Sequence, residues 1–121
     1  MREFLFRGKD HFGEWQYGAV SKFSEGFVVI VPPLSFNKQV EPESVGQFIG
    51  LTDKNGTKIF EGDIVEYKEE YAEIVFDEQT ARFTVEFDTW CTDFDHINSN
   101  ELEIIGNTTD NPELLEVNAN A

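Results

Sequence analysis

The chain is 121 residues long, 40% hydrophobic and 27% charged, which marks a globular chain of one domain's length and excludes a disordered one. A single cysteine, Cys91, excludes an internal disulfide and all but excludes a cysteine-based zinc site. The net charge of −15 sits wholly in the second half: residues 1–60 hold seven Lys/Arg and seven Asp/Glu, residues 61–121 two and seventeen, so that half lacks the cations that phosphate-backbone binding needs.

At the N-terminus Phe4 and Phe6 alternate with polar neighbours, as in a strand. The apolar run of Met1 to Arg7 is too short for a signal peptide. Trp15, Tyr17 and Ala19 alternate with Gln16 and Gly18, and alternating aromatics of this kind read as core. Phe27-Val28-Val29-Ile30-Val31 is continuously apolar, which predicts a strand buried on both faces, ended by Pro32-Pro33. Residues 32–42 read as a mobile loop. Asp53-Lys54-Asn55-Gly56-Thr57-Lys58 predicts a tight type I′ hairpin, because Asn-Gly tolerates positive φ twice in succession. Its arms are Gln47 to Leu51 and Lys58 to Phe60. Gly62-Asp63 predicts a sharp reversal capped by the Asp63 side chain, leading into the strand Ile64 to Tyr67.

Phe83, Val85 and Phe87 alternate with Arg82, Thr84, Glu86 and Asp88, the clearest half-buried strand. Leu102 to Ile105 reads as a closing strand. Asn111 suits an N-cap, Pro112 the first helical position and Glu113 the positive end of the dipole. A helix of one or two turns is predicted there, docking Leu114 and Leu115, with Val117 to Ala121 frayed. No apolar run approaches the ~20 residues of a membrane helix, so the expected compartment is the cytoplasm. The expected fold is mainly β, a small barrel-like and SH3-like core over residues 1–105, with residues 106–121 a short C-terminal helix and tail of the same domain. Twelve Phe residues provide large rings for the core or for a homo-oligomer interface.

Three stretches carry a family resemblance. They are Arg2-Glu3-Phe4-Leu5-Phe6-Arg7-Gly8-Lys9 with Gly13-Glu14-Trp15-Gln16-Tyr17-Gly18; Val45 to Gly56 running into Ile59-Phe60-Glu61-Gly62-Asp63-Ile64-Val65; and Ile104-Ile105-Gly106-Asn107 with Asn111-Pro112-Glu113-Leu114-Leu115. In this order the chain resembles the YopX family of phage and prophage proteins. The resemblance implies a phage or prophage origin, a bacterial host cytoplasm and a β-rich fold. It implies no catalytic residue, cofactor or metal. The motif residues are those a backbone needs for turns.

One cluster has chemical content: Trp90-Cys91-Thr92-Asp93-Phe94-Asp95-His96. Two carboxylates and an imidazole suit a divalent metal, but in an extended chain His96 points away from Asp93 and Asp95, and a solvated acidic loop is the preferred reading. Cys91 has acidic sequence neighbours, so it reads as a small buried core residue and not a reactive thiol. Trp15, Tyr17 and Trp90 offer stacking faces for single-stranded nucleic acid, with Arg2, Arg7, Lys9 and Lys22 as the available cations. Core packing is preferred. No phosphate loop, His-Glu-x-x-His or Gly-x-Ser-x-Gly occurs. The expectation is a non-catalytic module that binds a host or phage protein, without direct nucleic-acid binding, cofactor or membrane contact. The alternative is an acidic nucleic-acid mimic that blocks a DNA-binding protein.

Overall fold

Gly, Pro, Asn and Asp punctuate short β-branched and aromatic runs through most of this chain, and the strands begin and end at them. The protein is described by a computed structural model, and the described residues are 4–24, 26–33 and 35–119. Eleven strands lie among them: β1 Phe6–Lys9, β2 Trp15–Ser24, β3 Phe27–Val31, β4 Lys38–Val40, β5 Gly46–Thr52, β6 Lys58–Phe60, β7 Asp63–Tyr67, β8 Glu70–Asp77, β9 Arg82–Glu86, β10 Cys91–Asp93 and β11 Glu103–Asn107, followed by the helix α1, Glu113–Ala119. They make two antiparallel sheets. One runs β4-β3-β2-β1-β5-β6 and the other β10-β9-β8-β7-β11. The chain divides into two compact units, Met1–Phe48 and Ile49–Ala121, and β5 passes from the first into the second.

In the first unit β2 pairs with β1 and β3, and β4 extends the sheet beyond β3. Val28, Val29 and Ile30 are buried in mid-strand, as the continuous run predicts. Val28, Ile30 and Val40 form the core, with Phe6, Val20 and Val45 against it. Gly18 sets the approach of β2 to β3: a Cβ there would lie 2.2 Å from the Val31 carbonyl oxygen. Tyr17 is 45% exposed, and neither it nor Trp15 belongs to the core cluster, so the alternating aromatics of this strand do not form the core. The expected loop over residues 32–42 contains β4, and the 3₁₀ turn Pro42–Ser44 follows it. Ser44 is buried, and its hydroxyl accepts from Lys9 N at 2.8 Å and donates to the Glu41 carbonyl at 2.6 Å. Among the described residues an isolated bridge, Asp10 to Val40, and a hydrogen bond from Glu41 N to the Lys9 carbonyl bring the end of β4 towards the end of β1. The mainly β fold with its C-terminal helix is as expected, but the sheets do not close into a barrel: among the described residues no continuous ladder joins the edge strands of either sheet.

The second unit buries Ile59, Val65, Ala72, Ile74, Val85, Phe87, Ile97 and Leu102. The core is thus chiefly aliphatic. Of the described Phe residues, Phe48, Phe60 and Phe87 are buried, whereas Phe12 and Phe36 are 92% and 86% exposed. Phe12 lies in the β1–β2 turn, where Phe12 N and Glu14 N donate to Asp10 Oδ1; the turn is fixed through its backbone.

The β5–β6 hairpin forms where predicted but by a different turn. Gly56 N donates to the Asp53 carbonyl and Asp53 N to the Thr57 carbonyl. Gly56 has φ +80, while neither Lys54 nor Asn55 has positive φ, so the turn is not type I′. The reason is the Asp53 carboxylate, whose Oδ1 accepts from Asn55 N and Thr57 N at 2.9 Å each. The Gly62-Asp63 turn is as predicted: Asp63 Oδ2 accepts from Phe60 N at 2.7 Å. β11 runs to Asn107, two residues beyond the expected end of the β region. The helix forms at the expected place, yet Asn111 does not cap it. Its Oδ1 accepts from Asn107 N at 3.3 Å, closing the turn before the helix. Leu114 and Leu115 are half-buried and α1 contacts β8. Val117 to Ala119 are helical, and the expected fraying of residues 120–121 lies outside the described residues.

Candidate functional site: an acidic sheet face

A strand sends alternate side chains to opposite faces, and partners directly across a ladder share a face. On the five-stranded sheet Val65, Ala72, Ile74 and Val85 face the core. The register places the carboxylates on the other face. Glu73 lies directly opposite Glu86, and Glu66 directly opposite Glu103. The β8–β9 turn fixes the first pairing, since Asp77 faces Arg82 at its mouth. There Asp77 accepts from Gln79 N at 3.0 Å and from Thr80 Oγ1 at 2.9 Å.

Glu103 has a cation, Lys54, at 3.4 Å. Among the described residues, no hydrogen bond or ion pair reaches the side-chain carboxylate of Glu73 or Glu86. Burial raises the Glu73 carboxyl above its ordinary value, and the negative charges of Glu86 and Glu61 raise it further. Beside this pair lies a cavity of about 220 Å³, lined by Tyr71, Glu73, Glu86, Phe87, Asp88 and Leu115. The Phe87 ring stacks on Trp90 with centroids 4.1 Å apart and planes 3° from parallel. Trp90 Nε1 donates to Glu70 Oε1 at 3.3 Å.

The cluster singled out in the sequence is assembled differently from its expected form. Residues 94–96 form a turn, so the chain is not extended and His96 folds back. His96 Nδ1 lies 2.7 Å from Asp93 Oδ1, and Asp95 N donates to the same oxygen at 3.0 Å. The guanidinium of Arg82 sits 2.9 Å from Asp93 Oδ2 and 3.5 Å from Asp95 Oδ2. The three residues therefore meet, around an arginine. The His96 hydrogen bond, opposed by partial burial and helped by Asp95 N and Arg82, holds the Asp93 carboxyl below its ordinary value. Among the described residues, no three His, Cys, Asp or Glu side chains are arranged to hold a metal ion.

Cys91 is exposed, opposite Glu86, and is not the buried core residue expected. Strand β10 is an edge strand, and Cys91 lies on the outward face of it. Of the cations considered for stacked bases, Arg2 lies outside the described residues. Arg7 is 8% exposed, 4.7 Å over the Trp15 ring. Its charge is turned into the fold and not presented beside an exposed ring. Glu73 and Tyr71 were not singled out in the sequence; Glu86 reads there only as a polar position of its strand, and Leu115 only as a docking residue of the helix. A hairpin turn at residues 78–81 was the signal that would have aligned Glu73 with Glu86.

No curated protein matches the chain. Among solved structures, protein EF1440 from Enterococcus faecalis is similar, at 26% identity and a TM-score of 0.59, over 95% of this chain and 99% of that one. The family model described as YopX protein matches residues 14–116. The match takes in the hairpin, the Gly62-Asp63 turn, the acidic sheet and the start of α1, but not the resembling stretch Arg2 to Lys9. Among the described residues no helix is long and apolar enough to cross a membrane. By the extent of the family match, the chain belongs to the YopX family.

Proposed function

We propose that this protein is a non-catalytic accessory protein of phage or prophage origin. In this reading it acts in the bacterial cytoplasm and binds a host or phage protein through the acidic face of the five-stranded sheet. The observation that carries the reading is the Glu73–Glu86 pair. Like charges directly opposite each other destabilise a sheet, and these two have no cation among the described residues. A basic partner surface supplies one and gains on-rate from the field of the whole unit.

Affinity capture from the infected host, followed by mass spectrometry, tests the reading. The expected result is one recurrent basic partner, released by salt. Repeated capture of nothing overturns it, as does turnover of a substrate in an activity screen. The nucleic-acid mimic is the second reading, favoured by two cross-strand glutamate pairs on the same sheet face, Glu66–Glu103 and Glu73–Glu86. Against it, Asp63, Asp77 and Asp93 have carboxylates engaged in local turns. Release of the captured partner by competing duplex DNA selects the mimic. In either reading the protein itself gives no mobility shift with DNA at moderate salt.

A further inference from the structure

We infer that the cavity beside α1 receives a single lysine or arginine side chain of the partner protein. The inference rests on the binding-module reading and gives it an address. Three observations carry it. First, the lining is of two kinds: Tyr71 and Leu115 supply apolar surface, and Glu73, Glu86 and Asp88 supply carboxylates. That is the complement of a long basic side chain, which has an apolar stem and a charged head.

Second, the volume of about 220 Å³ is below the ~300 Å³ at which drug-sized ligand sites begin. It suits one side chain better than a cofactor or a peptide backbone. Third, the unit has no cation of its own to spare. Residues 49–121 contain Lys54, Lys58, Lys68 and Arg82 as their only basic side chains apart from His96. Lys54 is on Glu103, Arg82 on Asp93 and Asp95, and Lys68 lies 5.1 Å from the Tyr67 ring centroid; Lys58 also has an interaction of its own. Its His96 is on Asp93. Among the described residues no cation of the unit occupies Glu73 or Glu86, so a basic side chain from a partner meets no competitor there. A bare metal ion is a poor substitute, because the carboxylates are not arranged as a metal-binding group.

The test uses the full chain and three capped pentapeptides, Gly-Gly-X-Gly-Gly, with X lysine, arginine or norleucine, titrated at low salt and followed by amide chemical shifts. Saturable shifts centred on Tyr71, Glu73, Glu86, Asp88 and Leu115 are expected with lysine and arginine and not with norleucine. The double variant Glu73→Gln/Glu86→Gln should weaken binding at least tenfold while its circular dichroism is unchanged. Equal binding of the norleucine peptide overturns the inference, as do non-saturating shifts spread over Glu69, Glu101 and Glu113. MgCl₂ at matched ionic strength should not reproduce the shifts; if it does, the site is one for cations in general and the inference falls. Should the double variant still capture the same host partner, the binding-module reading stands and the cavity is not its address. Should the peptides saturate the cavity while the host yields no partner, the binding-module reading falls and the side-chain site remains.

Discussion

Asp53 satisfies three backbone donors of the second unit with one carboxylate. It is 3% exposed, and it accepts from Asn55 N and Thr57 N through Oδ1 and from Ile104 N through Oδ2 at 3.0 Å. The β5–β6 turn is thereby tied to β11, 51 residues further on. Burial raises its carboxyl, and the donors Ile104, Thr57 and Asn55 together outweigh burial, so its value in the folded state lies below the ordinary 3.8. A depressed carboxyl stabilises the fold above its ordinary value and loses that contribution as pH falls through the folded value. Asp53→Ala should cost about 2–3 kcal/mol at pH 7, because buried donors lose their acceptor. In urea denaturation the gap to the wild type should narrow as pH falls below 3.8; a gap that stays constant would mean the charge contributes nothing. Gly18→Ala is the comparable test in the first unit. Its methyl group would meet a backbone carbonyl that no side-chain rotation can move, and a loss of about 3 kcal/mol is expected. A wild-type denaturation midpoint in this variant would show that β2 and β3 can separate freely.

At the scale of elements, the β8–β9 ladder places two glutamates where a sheet tolerates them poorly. Glu73 is raised by burial first and by Glu86 and Glu61 after it. A carboxyl raised in the folded state favours folding below its ordinary 4.5, and that contribution is lost as pH rises through the folded value. Glu73→Gln should therefore be more stable than the wild type at pH 7, by about 0.2–1 kcal/mol. The two should converge near pH 4; a variant less stable at neutral pH would mean that Glu73 has a favourable partner. The sequence made these strands readable because alternation and turn residues are local. Asn55-Gly56 and Gly62-Asp63 stand where the chain reverses. Which face of a strand turns inward is not local: in residues 15–19 Tyr17 is exposed and Trp15 carries Arg7 over its ring, a packing that depends on strand β1 pairing alongside. The site was less legible still. Tyr71 and Leu115 are brought to one cavity by a helix docking on a sheet, and Glu73 meets Glu86 through a register that no single strand encodes. Cys91 was misread because composition predicts burial for a cysteine, while only the sheet order reveals an edge strand.

Over the whole molecule the charge divides as the units do. Residues 1–48 hold five basic and six acidic side chains, residues 49–121 four and eighteen. Like charges repel more strongly in a folded unit than in an expanded chain. At low ionic strength the Debye length is about 30 Å, so most of the eighteen carboxylates feel one another; at physiological salt it is about 8 Å, and only neighbours such as Glu73 and Glu86 do. Salt also weakens Lys54–Glu103 and Arg82–Asp93, but exposed ion pairs are each worth only about 0–1 kcal/mol. Repulsion among eighteen outweighs attraction by four. The melting temperature of the second unit should rise between low and physiological salt, by roughly 4 °C for each ~1 kcal/mol of relieved repulsion. The first unit should hardly respond. The two tryptophans allow the units to be followed separately, because Trp15 lies in one and Trp90 in the other. In Trp15→Phe the fluorescence of Trp90 reports the second unit, and in Trp90→Phe that of Trp15 reports the first. MgCl₂ at matched ionic strength should add nothing, since Asp93 and Asp95 already share Arg82. An additional rise with magnesium that disappears in Asp93→Asn/Asp95→Asn would locate a cation site there. A midpoint for Trp90 that is flat or falling with salt would show that the carboxylates are too dispersed to repel, and would remove the physical basis for an acidic face that seeks a basic partner.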